Sequence, residues 1–304
     1  MAENFPANKN KFLTAVETIA SQNIKAVRNS NRINDAFYEY PVENGKVVEE
    51  ALIKMADGKT FTPVETGGTP DLSPLDPSVA VRYFSDWEAL QYKTTKRYDE
   101  IRAILEKGKS PEEVASEIDA TLTEGEGYTD YGKMRKIIED EAVNRDCSTD
   151  LFGGKHPSSM KGVIYCIRQM YNVVKATNTK GGNPVAYGAD ADSVRLAISE
   201  KALALMDIVE LANVFNLSKE ELLGKIVILP DDVTYAGDKI LVYDVKHLGR
   251  ATRVFDYAQE DLPTNRYIIS TLNTERSYFA DDLFKAVGLD ISAAMTAAEG
   301  GLLA

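Results

Sequence analysis

Three stretches of the chain repeat their apolar residues at helical spacing. From residue 12 the apolar positions are Phe12, Val16, Ile19, Ala20, Ile24 and Val27, one stripe of a helix whose opposite face is basic. Asn29-Ser30-Asn31 end it, because their side chains compete for backbone hydrogen bonds. A second block puts Tyr98, Ile101, Ile104 and Leu105 on one face, then Val114, Ala115, Ile118 and Leu122, then Tyr131, Met134, Ile137 and Ile138, which reads as several helices in succession. Ser110-Pro111-Glu112-Glu113 is a helix start: a Ser cap, Pro at the first helical position and acids at the positive end of the dipole. The third stripe is Val163, Ile167, Met170 and Val174, flanked by Ile164 and Tyr171. Residues 147–159, with Gly153-Gly154 and Pro157, read as a loop.

The rest is extended or mixed. Residues 36–85 contain Asn44-Gly45 and Asp57-Gly58, dipeptides that tolerate the positive φ of tight hairpin turns. Gly67-Gly68-Thr69-Pro70 through Pro77 follow, and Val79-Ala80-Val81-Arg82-Tyr83-Phe84 reads as a returning strand. This excursion has few core-forming residues, and an isolated hairpin is marginal in water, so it needs something to lie on. After Gly181-Gly182 the pattern is α/β: a strand at 194–198, a buried helix at 202–215, and a short helix at 219–223 capped by Ser218. Strands covered on both faces follow at 226–229 and 240–243. Extended runs fill 253–257, 267–272 and 278–279, and the Ala- and Gly-rich tail after Ile291 reads as dispensable to the core. The fold class is α+β.

Composition narrows the function. The chain has 304 residues and a net charge of −12, a poor match to the clustered cations that nucleic-acid binding needs. Thirteen acids against six bases fall between Asp99 and Glu141, whereas residues 1–35 are mildly basic, an arrangement that suits self-association through arms. No apolar run approaches the ~20 residues of a membrane span, and residues 1–10 lack the apolar region of a secretory signal. Cys147 and Cys166 read as free thiols, and His156 and His247 fall in no zinc-binding spacing.

The sharpest chemical decoy is Gly108-Lys109-Ser110, a relaxed phosphate-loop match. It follows a helix pattern instead of a strand, and Pro111 has no N–H to offer a phosphate. Asp244 ends a strand with His247 three residues on, but no nucleophile motif lies nearby, and Asp244 reads as the cap of the next turn. Asp190-Ala-Asp192 lacks the later ligands of a calcium loop. Trp87 reads as a packing anchor where the excursion rejoins the body.

The order of these pieces resembles the major capsid proteins of tailed bacteriophages, the Hong Kong 97-like shell fold. The likeness is strongest over residues 192–229, Lys239-Ile-Leu-Val-Tyr-Asp244 and 266–290. It implies an N-terminal arm at 1–35, an E-loop hairpin at 36–85, a P domain at 86–158 and 250–292, an α/β A domain at 159–249 and a tail at 293–304. The P domain of that fold has one long helix plus long strands, fewer helices than the block at 98–143 predicts.

The resemblance implies a self-assembling icosahedral head shell of hexamers and pentamers around packaged DNA, in the virion, assembled in the host bacterial cytoplasm. Portal, scaffold and decoration proteins are further implied partners; DNA is met only loosely, and no cofactor, metal, membrane or catalysis is implied. Interface candidates are Lys11, Phe12, Arg28 and Arg32 of the arm, then Tyr38, Tyr40, Lys46, Lys54, Lys59 and Phe61 of the excursion, and Trp87. The competing readings are a soluble α/β nucleotide-binding enzyme using Gly108-Lys109-Ser110, and another multimeric phage component.

Overall fold

The computed structural model describes residues 35–42, 48–53, 79–84, 86–107, 110–176, 178–180, 183–229, 238–262 and 264–302. In chain order the elements are β1 (Tyr38–Tyr40), β2 (Val48–Ile53), β3 (Val79–Phe84), β4 (Glu88–Arg97), α1 (Tyr98–Glu106), α2 (Pro111–Asn144), α3 (Ser148–Phe152), α4 (Met160–Lys175), β5 (Asn178–Lys180) and β6 (Asn183–Ala186). There follow β7 (Val194–Ser199), α5 (Glu200–Ala204), α6 (Ile208–Phe215), α7 (Lys219–Lys225), β8 (Ile226–Leu229), β9 (Lys239–Asp244), β10 (Leu248–Leu262), β11 (Tyr267–Ala280), β12 (Ala286–Asp290) and α8 (Ser292–Leu302). A 3-10 turn, Val245–His247, joins β9 to β10.

Two four-stranded sheets carry the fold, ordered β1-β10-β11-β4 and β12-β9-β7-β8. In the first, β10 and β11 form one long antiparallel hairpin, with a bulge between Thr252 and Val254. The separate extended runs at 253–257, 267–272 and 278–279 are parts of these two strands. Strand β4, which has no strong strand signature in the sequence, pairs along most of β11. Its side chains alternate between half-buried and exposed, and Leu90 and Tyr92 face inward. On β11, Ile268, Ser270, Leu272, Thr274 and Arg276 are buried.

Helix α2 crosses this sheet as a single 34-residue rod, about 50 Å long. It replaces the several shorter helices expected from Pro111 onward. Val114, Ile118, Leu122, Glu126, Asp130, Met134, Ile138 and Ala142 are all buried, so every fourth residue faces inward. A helix turns every 3.6 residues, so a four-residue repeat drifts about 40° per step, or roughly 280° from Val114 to Ala142. The buried stripe therefore winds around the helix. Its first half packs with Ile101, Ile268 and Leu272, and its last half with Leu241, Tyr243 and Leu248. Reading those two halves on different faces is what split the helix in sequence.

The second sheet is covered by α4, α6 and α8, and its large core joins Val163, Ile167, Met170, Leu196, Leu211, Phe215, Val242 and Leu289. The helix expected at 202–215 is broken into α5 and α6, because Asp207 caps α6 by accepting from the amides of Val209 and Glu210. The loop expected at 147–159 contains the short helix α3, ended by Gly153 in the left-handed conformation. The tail is not dispensable to the core: it forms α8, which buries Ala294 and Met295 beside Ile291. Strand β12 pairs with β9 from Ala286↔Tyr243 to Asp290↔Lys239. That places 286–292 with the second sheet and not with the long strands of 250–280, because Leu289 and Ile291 bury in the larger core.

The excursion also begins later than its sequence implied. Strand β1 belongs to the first sheet, parallel to β10, and the hairpin proper is β2 paired with β3 from Val48↔Phe84 to Ile53↔Val79. Among the described elements, the main packing partner of each of these two strands is the other. No helix among the described residues is long and apolar enough to cross a membrane.

Candidate assembly site

The root of the hairpin is an aromatic cluster on the first sheet. Phe84, the last residue of β3, stacks on Phe279 of β11 with ring centroids 3.9 Å apart. Tyr40 packs on the same ring at 5.2 Å, and Tyr38 meets Tyr40 edge-on at 4.8 Å. Phe279 finds room because its cross-strand partner is Gly249: a Cβ there would come within 2.2 Å of the ring. Strand β1 stops at Pro41, which has no N–H to continue the ladder. Beyond Ala251, no described strand pairs with the outer edge of β10.

Of the predicted interface residues, Tyr38 and Tyr40 are brought together here. Trp87 sits at another corner, with the Arg253 guanidinium 4.9 Å over its ring. Arg253 in turn donates from Nε to Glu275 at 2.9 Å. A cleft of about 500 Å³ opens beside Trp87, lined also by Asp86, Glu88, Lys133, Ile137, Arg276 and Tyr278. Lys11, Phe12, Arg28, Arg32, Lys46, Lys54, Lys59 and Phe61 lie outside the described residues.

Beneath the cluster, α2 is bolted to the sheet by buried charges absent from the sequence reading. Arg276 of β11 reaches Glu126 at 2.5 Å and Asp130 at 2.7 Å, while Arg250 of β10 reaches Asp130 at 3.0 Å and Glu39 of β1 at 3.5 Å. The Tyr278 hydroxyl donates to Asp130 as well. Burial works against the Arg276 charge, but the Asp130 and Glu126 carboxylates outweigh it and raise its pKa above the ordinary arginine value. The four-residue repeat running through two acids was the available signal: Glu126 and Asp130 occupy stripe positions that are apolar elsewhere.

The chemical decoys are structural. Ser110 forms a capping box with Glu113: its hydroxyl accepts from the Glu113 amide at 3.2 Å, and its own amide donates to the Glu113 carboxylate at 2.9 Å. The start of α2 is thus occupied by its own side chains and follows helix α1; Gly108 and Lys109 lie outside the described residues. Asp244 caps the 3-10 turn by accepting from the Lys246 amide at 3.1 Å. His247 is fully buried and engaged at both ring nitrogens. Asp192 pairs with Lys225 at 3.1 Å. Among the described residues, no group of His, Cys, Asp and Glu could hold a metal ion.

A hairpin that among the described elements packs chiefly on itself, a long helix bolted across a long-stranded sheet, and a separate α/β core describe a building block. The model of the Phi29-like phage major capsid proteins matches residues 1–287. The chain belongs to that family. This capsid protein also shares its fold with a chain from the capsid of Staphylococcus phage Andhra, at 10% identity and a TM-score of 0.60, covering 86% of this chain and 84% of that one. A chain in the structure of the head fiber and inner core protein gp22 of native bacteriophage P68 is similar at 9% identity and a TM-score of 0.55, covering 86% and 85%. No curated protein matches the sequence. The fold is the Hong Kong 97-like one, and the chain is a major capsid protein that self-assembles into the phage head shell of the virion.

Proposed function

We propose that the subunit builds an icosahedral shell of hexamers and pentamers, with the β2–β3 hairpin as the part that reaches a neighbour. One observation carries this reading: among the described elements the hairpin's two strands pack mainly on each other, which is less support than a two-stranded ribbon needs. The aromatic cluster of Tyr38, Tyr40, Phe84 and Phe279 holds the root of the hairpin at a set angle. The outer edge of β10 beyond Ala251, which no described strand pairs, offers backbone groups to a strand from another copy. The interface candidates of the arm and excursion belong to the same reading, as does a trapped, loosely held DNA content behind an acidic wall.

In this scheme β4, α1, α2, β10 and β11 form the P domain, with α2 as its long helix. The A domain is the second sheet with α3 to α8. The shell assembles in the bacterial cytoplasm, with portal, scaffold or decoration proteins as further partners, and it does no catalysis. Electron microscopy of the purified protein tests the proposal: it should show closed shells or capsomers. Replacing residues 46–85 by a short linker should leave a folded chain that stays monomeric; shells formed without the hairpin would sink its role.

A further inference from the structure

The connections from β9 to β10 and from β11 to β12, which pass between the two sheets, share one buried joint. The end of α2, the 3-10 turn Val245–His247 and the turn between β11 and β12 meet there, and His247, with no solvent exposure, is at the centre. Its Nδ1 lies 2.8 Å from the Asp281 carbonyl and 3.1 Å from the Phe284 carbonyl. Its Nε2 lies 2.8 Å from Oε2 of Glu141 on α2. The same carboxylate oxygen accepts from Arg145 Nε at 3.1 Å, and Arg145 also pairs with Asp282. The His247 carbonyl accepts from the Asp281 amide at 2.7 Å, which closes the joint.

The hydrogen count is decisive. Two carbonyls can only accept, so Nδ1 must carry a proton. A carboxylate that already takes a hydrogen bond from Arg145 can also only accept, so Nε2 must carry one too. We propose that His247 is a proton lock: doubly protonated, it ties α2 to both strand crossings, and losing one proton loosens the joint between the sheets.

The charged surroundings agree. Burial pushes the Glu141 carboxyl up, but the hydrogen bonds from His247 and Arg145 outweigh it and hold the group down at about 2. The other charged groups of the joint are Asp244 and Lys246 on the turn itself, Asp281 and Asp282 on the facing turn, and Lys285, whose Nζ donates to the Val173 carbonyl at 3.1 Å. The lock is a property of one subunit and stands or falls apart from the shell reading.

The chain has two histidines, so ¹⁵N-histidine labelling reports both, and His156→Gln assigns them. In the wild type at pH 7, His247 should show two protonated nitrogens. Raising the pH to 9 should leave one and speed amide exchange at residues 245–248 and 281–285 about tenfold or more, after correction for intrinsic rates. In Glu141→Gln the amide can donate to Nε2, so His247 should be neutral at pH 7 and the pH-linked rise should vanish. A singly protonated His247 in the wild type at pH 7 overturns the lock. So does exchange at the joint that ignores pH, or that responds to pH equally in the two proteins.

Discussion

Gly288 is where β12 touches the end of α2, and Gly288→Ala tests how that contact is made. Its φ is not in the left-handed region, so the backbone does not demand glycine; the space does. A Cβ at 288 would lie 2.2 Å from the Ala142 carbonyl oxygen, a backbone atom that cannot rotate away. Relief needs an opening of about 1 Å. Two hydrogen bonds span the same gap: the Gly288 amide donates to the Arg145 carbonyl at 2.7 Å, and the Cys147 amide donates to the Gly288 carbonyl at 2.9 Å. An opening of that size carries both beyond bonding distance. Each buried group left unpaired costs about 1–3 kcal/mol, so a loss of roughly 3–5 kcal/mol is expected, a large share of an ordinary 5–15 kcal/mol stability. Urea denaturation of the unassembled subunit measures it, with the midpoint falling at unchanged slope. A loss under about 1 kcal/mol would mean that β12 and α2 separate freely, and the close-contact argument fails.

The opposite sign is expected at Gly127→Ala and Gly132→Ala, interior to α2 with nothing within 4 Å of an added Cβ. Each should stabilise by about 0.5–1 kcal/mol in the same urea assay, and a destabilised variant would refute an unstrained helix there. Arg276→Met leaves Glu126 and Asp130 without their shared cation and should cost about 3–5 kcal/mol in thermal or urea unfolding, whereas a neutral result would show the buried acids to be otherwise satisfied. The Glu141 carboxyl is held at about 2, below its unfolded value, so its contribution is present above about pH 4.3 and lost as pH falls toward 2. An acid titration of stability should therefore be shallower in Glu141→Gln than in the wild type. Burial pushes the Cys147 thiol up to about 12, so a thiol reagent at pH 8 should label it only after unfolding.

Much of this subunit was legible in its sequence because the signals are local. The Ser110 and Ser218 caps, the stripe of α4, the strands at 194–199, 226–229 and 239–244, and the returning strand 79–84 depend on residues close along the chain. Backbone hydrogen bonding and side-chain spacing suffice to specify them. The order of these pieces was also enough for the family resemblance.

Tertiary structure decided what depends on distant partners. Three glycines between 125 and 132 and two acids at stripe positions should weaken or end a helix, yet α2 runs through them. Arg250 and Arg276, more than a hundred residues away, supply the charges that let Glu126 and Asp130 be buried. Strand β4 has too few branched apolar residues to announce itself, and it exists because β11 offers a full ladder of hydrogen bonds. The Ala-rich tail became α8 because the second sheet offers a core to cover. Tyr38 and Tyr40 left the excursion for the main sheet because Gly249 makes room for Phe279 beneath them. The sequence by itself determined the elements whose reasons are within a few residues; burial of charge, edge pairing and close backbone contact, which need the whole fold, determined the rest.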